Sequence, residues 1–93
     1  MAKPKLKALL MTERASKDIS YWSQSGNKKK VERINALIES CLLDPYSGIG
    51  VPEQLRFKDD ATFSRRIDKT HRLVYRVHAQ NLVIISARFH YEK

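Results

Sequence analysis

The stretch "SRRIDKTHRLVYRV" (64–77) sets Arg65, Arg66, Arg72 and Arg76 among Ile67, Leu73, Val74, Tyr75 and Val77. Guanidinium groups hold phosphate oxygens through paired N–H donors and neutralise charge that builds in a transition state. His90, in the closing "ARFHY", adds a ring that gives or takes a proton near neutrality. Arginines converging with one histidine suit a phosphodiester. Such chemistry also needs a base. Glu53 is the best candidate, because its loop and short extended segment run into the same sheet, whereas Asp59 and Asp68 are turn residues. His71 and His78 also fall in turns and read as surface residues. No Cys/His spacing suggests a metal site, and no cofactor is implied. The plain alternative is a solvated basic face with surface ion pairs, and the residue pattern alone leaves both readings open.

The elements must bring these residues together. "LKALLM" (6–11) reads as a short first strand. Thr12 can cap a helix running to about Ser25, with Ala15, Ile19 and Trp22 on one face. Tyr21 and Trp22 read as core or helix-face aromatics, not base-stacking platforms. Gly26 and Asn27 break that helix, and Asn27 can cap a second one. Its stripe is Val31, Ile34, Leu37, Ile38, Cys41 and Leu42, and Asp44 and Pro45 stop it. The segment 46–57 is a glycine-punctuated loop without the spacing of a phosphate-cradling motif. Extended runs follow at 62–68, 72–77 and 81–91. Strand, helix, helix and antiparallel meander predict an α+β fold with both helices on one face of a twisted sheet.

Side chains alternate between the faces of a strand, and residues opposite each other across a ladder share a face. An odd turn around Lys69–His71 would set Asp68 opposite Arg72 and Arg66 opposite Val74. Phe63, Ile67, Leu73, Tyr75 and Val77 then meet the helices, while Ser64, Arg66, Arg72, Val74 and Arg76 share the other face. An even turn would scatter the apolar residues over both faces. Arg65 alone breaks the pattern and is expected at the rim of the helix-covered face. Continued alternation sends Val83, Ile85, Ala87, Phe89 and Tyr91 to the core. It sends Leu82, Ile84, Ser86, Arg88 and His90 to the arginine face.

Bulk properties narrow the partners. A chain of 93 residues with one pattern throughout is expected to form a single domain over 1–93. A formal charge of +8 on so small a chain favours polyanions. There is no membrane-spanning run and no signal segment. The lone Cys41 fits a reducing cytoplasm and a small core position.

Five segments, taken in order, carry a resemblance: "YW" on the first helix, "KKVERINALIES" on the second, "DPYSGIGVPEQL", "FSRRIDKTHRLVY" and "ARFHY". Together they make the chain similar to the YoeB toxins of the RelE superfamily, bacterial toxin–antitoxin endoribonucleases. The resemblance implies a microbial-ribonuclease-like, RelE-type fold and cleavage of messenger RNA at the A site of the 30S ribosomal subunit. It makes Glu53 the general base, places Arg66 and Arg72 on the phosphate, and makes His90 and Tyr91 the terminal catalytic pair. Arg56 stands where the family commonly has lysine, which keeps the charge and changes the geometry. The remaining RNA contacts expected are Lys28, Lys29, Lys30, Arg76 and Arg88. Three departures stand out: "PEQL" for the common "PEPL", Phe63 before "SRR" for the usual tryptophan, and Glu92–Lys93 after "HY". The implied partners are a YefM-like antitoxin, operator DNA only through that antitoxin complex, and a possible second copy of the chain. The rival readings are a non-catalytic basic module that blocks the ribosome by occupancy and an antitoxin-binding corepressor.

Overall fold

The computed structural model describes residues 6–55 and 62–89. In chain order the elements are β1 (Ala8–Met11), α1 (Glu13–Gln24), α2 (Lys28–Leu43), β2 (Glu53–Gln54), β3 (Thr62–Arg66), β4 (Arg72–His78) and β5 (Asn81–Ser86). The strands form one sheet in the order β1-β5-β4-β3-β2. Only the β1–β5 pair is parallel; the others are antiparallel.

Both helices start as the sequence predicts. The Thr12 hydroxyl accepts from the Ala15 amide, and the Asn27 side chain accepts from the Lys30 amide. Each cap satisfies one of the orphan donors of a first helical turn. The apolar stripes of α1 and α2 lie on one face of the sheet. Ala15, Trp22, Ile34, Leu37, Ile38 and Cys41 form one core with Leu73, Tyr75, Leu82, Ile84 and Ala87. Burial raises the Cys41 thiol to about 11 against the opposing pull of Arg65, so it is an inert core residue.

The β3–β4 register keeps the expected parity with a wider loop. Arg66 pairs with Arg72 and Ser64 with Val74, two residues away from the pairing read off the sequence. Five residues, 67–71, therefore make the turn. Within it the Asp68 carboxylate accepts from the Thr70 and His71 amides, an Asx-type arrangement that a three-residue loop would leave no room for. The β5 assignment needs correction. Tyr75 pairs with Ile84, but Val74 pairs with Ser86, so Ile85 is an extra residue. This bulge inverts the faces before it: Leu82 and Ile84 are fully buried in the core, while Val83 lies opposite Arg76. The strand also ends at Ser86 instead of running on to 91.

Arg65 is the second correction. It is not at a rim; its relative exposure is 0 %. Its Nε donates to the Tyr75 hydroxyl at 3.0 Å and its Nη1 to Ser40 Oγ at 2.7 Å and the Ile49 carbonyl at 3.0 Å. Its Nη2 donates to the carbonyls of Asp44 at 2.7 Å and Ser47 at 2.9 Å. The acceptors are neutral oxygens, and together they engage every guanidinium nitrogen. Among the described residues no helix is long and apolar enough to cross a membrane.

Candidate active site

The sheet face turned away from the helices brings several of the expected site residues together. Glu53 pairs with Ser64, Ser64 with Val74, and Arg66 with Arg72 one step further along. These residues therefore share a face, and an ion pair closes the group: Arg72 Nη1 lies 3.1 Å from Glu53 Oε1. The Glu53 side chain is 58 % exposed, so a substrate can reach its carboxylate while Arg72 orients it. Arg66 is exposed beside this pair. Ser64 is buried between the strands, and its hydroxyl has no hydrogen-bond partner among the described residues. Arg76 lies on the same face, half-buried, four residues up the strand from Arg72 and so about 13 Å away.

Glu53 arrives there because the preceding loop is tied down. Arg65 gathers the Asp44, Ser47 and Ile49 carbonyls, and Gly50 passes its carbonyl to the Arg66 amide at 2.7 Å. Gly50 has φ +86°, and a Cβ there would lie 2.6 Å from Leu37 Cδ2 and 3.1 Å from Arg65 Cβ. The second glycine of "SGIG" thus serves close packing against the core.

The helices brace the same end of the sheet. Arg33 Nη2 donates to the Arg66 carbonyl at 3.0 Å, and Lys30 Nζ lies 2.6 Å from Asp68 Oδ2. Lys30, expected to meet RNA, is ion-paired with Asp68 in this arrangement. Lys28 and Lys29 are exposed at the start of α2. Arg33 was missed in the sequence because it reads as one more solvated helix charge. Its signal was weak: it sits one residue before Ile34, at the edge of the buried stripe.

Beyond Ser86 the backbone is held by side chains. The Ala87 amide donates to Asp18 Oδ2 at 2.9 Å, and Trp22 Nε1 donates to the Ala87 carbonyl at 2.9 Å. Arg14 Nη2 donates to the Arg88 carbonyl at 3.2 Å. The Phe89 amide donates to His71 Nδ1 at 2.7 Å, and the Arg72 amide donates to the Phe89 carbonyl at 3.2 Å. His71 is therefore an internal anchor and not a plain surface residue, whereas His78 is exposed. Arg88 also departs from expectation. Its guanidinium lies 3.5 Å from the Tyr21 ring centroid and 4.5 Å from that of Phe89. That places it against α1, because strand alternation has ended before it. Arg56, Asp59, His90 and Tyr91 lie outside the described residues. No group of three or more His, Cys, Asp or Glu among the described residues could hold a metal ion.

Residues 11–91 match the family model of the YoeB-like toxin of bacterial type II toxin–antitoxin systems. This chain belongs to the YoeB toxin family. The Toxin YoeB of Synechocystis is 47 % identical over 72 residues, covering 77 % of this chain and 84 % of its own. A YoeB/ParE toxin from Agrobacterium tumefaciens superposes with a TM-score of 0.85 at 39 % identity, covering 91 % of this chain and 100 % of its own. The YoeB of Staphylococcus aureus has been solved as a dimer, with TM-score 0.80, 36 % identity and 90 % and 97 % coverage. It has also been solved in a heterotetrameric complex with YefM, with TM-score 0.77, 37 % identity and 94 % and 99 % coverage. The α+β architecture, with two helices on one face of a mostly antiparallel sheet, is thus that of the YoeB and RelE-like toxins.

Proposed function

We propose that this YoeB-family toxin is a ribosome-dependent endoribonuclease that cuts messenger RNA in the 30S A site by attack of a ribose 2′-OH. The observation that carries the reading is the Glu53–Arg72 pair at 3.1 Å, on the face that also presents Arg66. A carboxylate oriented by one arginine and flanked by another suits proton abstraction beside a phosphate. Glu53 takes the 2′-OH proton as the 2′-oxygen attacks phosphorus in line. Arg66 and Arg72 stabilise the added negative charge, with Arg56 assisting. The bond from phosphorus to the 5′-oxygen breaks, His90 supplies the proton to that oxygen, and Tyr91 orients the phosphate or base. The products are a 2′,3′-cyclic phosphate end and a 5′-OH end. Every proton in this step is handled by a named side chain, so the reaction is expected to run without a catalytic metal.

The same reading supplies the partners. A YefM-like antitoxin with an acidic segment suits the +8 charge, and the family relative's complex with YefM supports that choice. Operator DNA is then met through the antitoxin, and a homodimer has a precedent in the same relative. The decisive experiment replaces a single A-site ribose by 2′-deoxyribose. Cleavage must vanish at that bond with the protein still bound, and persist in all-ribose message under chelator at matched free magnesium. Translation arrest with both messages uncut would instead mark an occupancy blocker.

A further inference from the structure

His71 has no role in the chemistry proposed above, yet it holds the residue that precedes His90. Its Nδ1 accepts the Phe89 amide at 2.7 Å, and the next amide, that of Arg72, donates to the Phe89 carbonyl at 3.2 Å. Both backbone polar groups of Phe89 are thus taken by consecutive residues, the last of the 67–71 turn and the first of β4. Phe89 itself has φ +68°, a left-handed conformation that is unfavourable for a non-glycine residue and persists only where its surroundings over-determine it. The His71 ring is fixed in turn. It packs edge-on to Trp22 at 4.8 Å and against Phe89 at 5.8 Å, and its own amide donates to Asp68 Oδ1 at 2.6 Å. A ring nitrogen that accepts an amide hydrogen carries no proton, so the Nε2–H tautomer is the one in place. Packing alone would need only a ring; the acceptor at the δ position is a separate requirement. The far end of Arg72 contacts Glu53 at 3.1 Å. One short run, His71–Arg72, therefore links the backbone before His90 to the carboxylate on the sheet.

The geometry points to His71 as a positioning residue that fixes the backbone from which His90 follows, relative to Glu53 and Arg72. This rests on the acid role proposed for His90. Two variants separate acceptor from ring. His71→Phe keeps an aromatic ring and removes the acceptor; His71→Asn removes the ring and puts Oδ1 where Nδ1 stands. The readouts are hydrogen exchange of the Phe89 amide, ribosome association, and the single-turnover rate on saturated ribosomes, with His90→Gln alongside. In His71→Phe the Phe89 amide should exchange faster, and the single-turnover rate should fall, each by about tenfold, the scale of one lost hydrogen bond. Association should not change. His71→Asn should restore both towards wild type. An unchanged Phe89 exchange or an unchanged rate in His71→Phe overturns the inference. So does a slow His71→Asn, which would show that the ring matters and the acceptor does not. If wild type cleaves nothing, or His90→Gln cleaves as fast as wild type, the functional reading fails and takes this inference with it. A strict dependence on His90 beside a fast His71→Phe removes the positioning role alone.

Discussion

At the scale of single residues, the ion pair between Glu53 and Arg72 ties the proposed base to a proposed phosphate ligand. Glu53→Gln keeps an oxygen for Arg72 Nη1 and removes the basic site, so the fold should survive. Its single-turnover cleavage should drop on the order of a hundredfold or more, and His90→Gln should lose a similar factor. Wild-type cleavage by either folded variant would remove that residue's assignment. Truncating Arg66 or Arg72 to Ala should cost the chemical step about 2–4 kcal/mol, the scale of a lost oxyanion donor. The two arginines should differ in one respect. Arg72→Ala also releases the Glu53 carboxylate, so the Glu53→Gln and Arg72→Ala losses should combine to less than their sum. Among the described residues Arg66 makes no ion pair with Glu53, and its loss should add fully. A double-mutant cycle with the opposite pattern would reverse the two roles.

Among the elements, the α2–β2 loop and the start of α2 make contrasting demands. The loop stays in place because buried Arg65 donates to Ser40 and to the carbonyls of Asp44, Ser47 and Ile49. Lysine has fewer donors and no planar fork. Arg65→Lys should therefore leave two or more of these acceptors without a donor and destabilise the fold by about 1–3 kcal/mol. Denaturant titration measures this, and a wild-type midpoint would refute the hub. Tyr75 shares the network: its hydroxyl donates to the Pro45 carbonyl at 2.6 Å, and burial pushes its phenol well above the ordinary tyrosine range. The start of α2 is different. Lys28, Lys29 and Lys30 occupy its first turn, which holds no acid, against the helix dipole. Lys30 is offset by Asp68, but Lys28 and Lys29 are exposed. Replacing either by Glu should stabilise the helix by about 0.3–1 kcal/mol at low salt. The same change should weaken ribosome association and flatten its salt dependence. Unchanged association would take these lysines out of the RNA surface.

For the whole molecule, the Lys30–Asp68 pair spans the layers, tying the helical face to the β3–β4 turn. Partial burial raises the Asp68 carboxyl, but Lys30 and the His71 and Thr70 amides outweigh it and bring it down to about 2 from 3.8. A folded value below the unfolded one means the stabilisation is present above about pH 4. It disappears as pH falls through the interval towards 2. Asp68→Asn should therefore be less stable than wild type near neutrality, and the two should converge as pH approaches about 2. Denaturation curves at a series of pH values check the sign. A gap that stays constant down to acid would show that the Asp68 charge is not what matters.

The sequence by itself determined the local features. Thr12 and Asn27 cap their helices because a short polar side chain can reach the first-turn amides without any tertiary help. Arg66, Arg72 and Arg76 share a face because side-chain alternation is a property of the extended chain, and parity survives a shift of two residues. Other features needed the packed molecule. The bulge at Ile85 is one unpaired residue, invisible in a pattern of continuous apolar residues, yet it turns Leu82 and Ile84 into the core. Arg65 looks like its neighbour Arg66. What separates them is the set of carbonyls and hydroxyls from five distant positions that close around the first and leave the second exposed. His71 became an anchor for the same reason. Its partner, the Phe89 amide, lies 18 residues away and needs an acceptor only because the strand has ended at Ser86. Residue type and spacing report what a segment can do alone; which groups satisfy buried donors and acceptors is settled when distant segments meet.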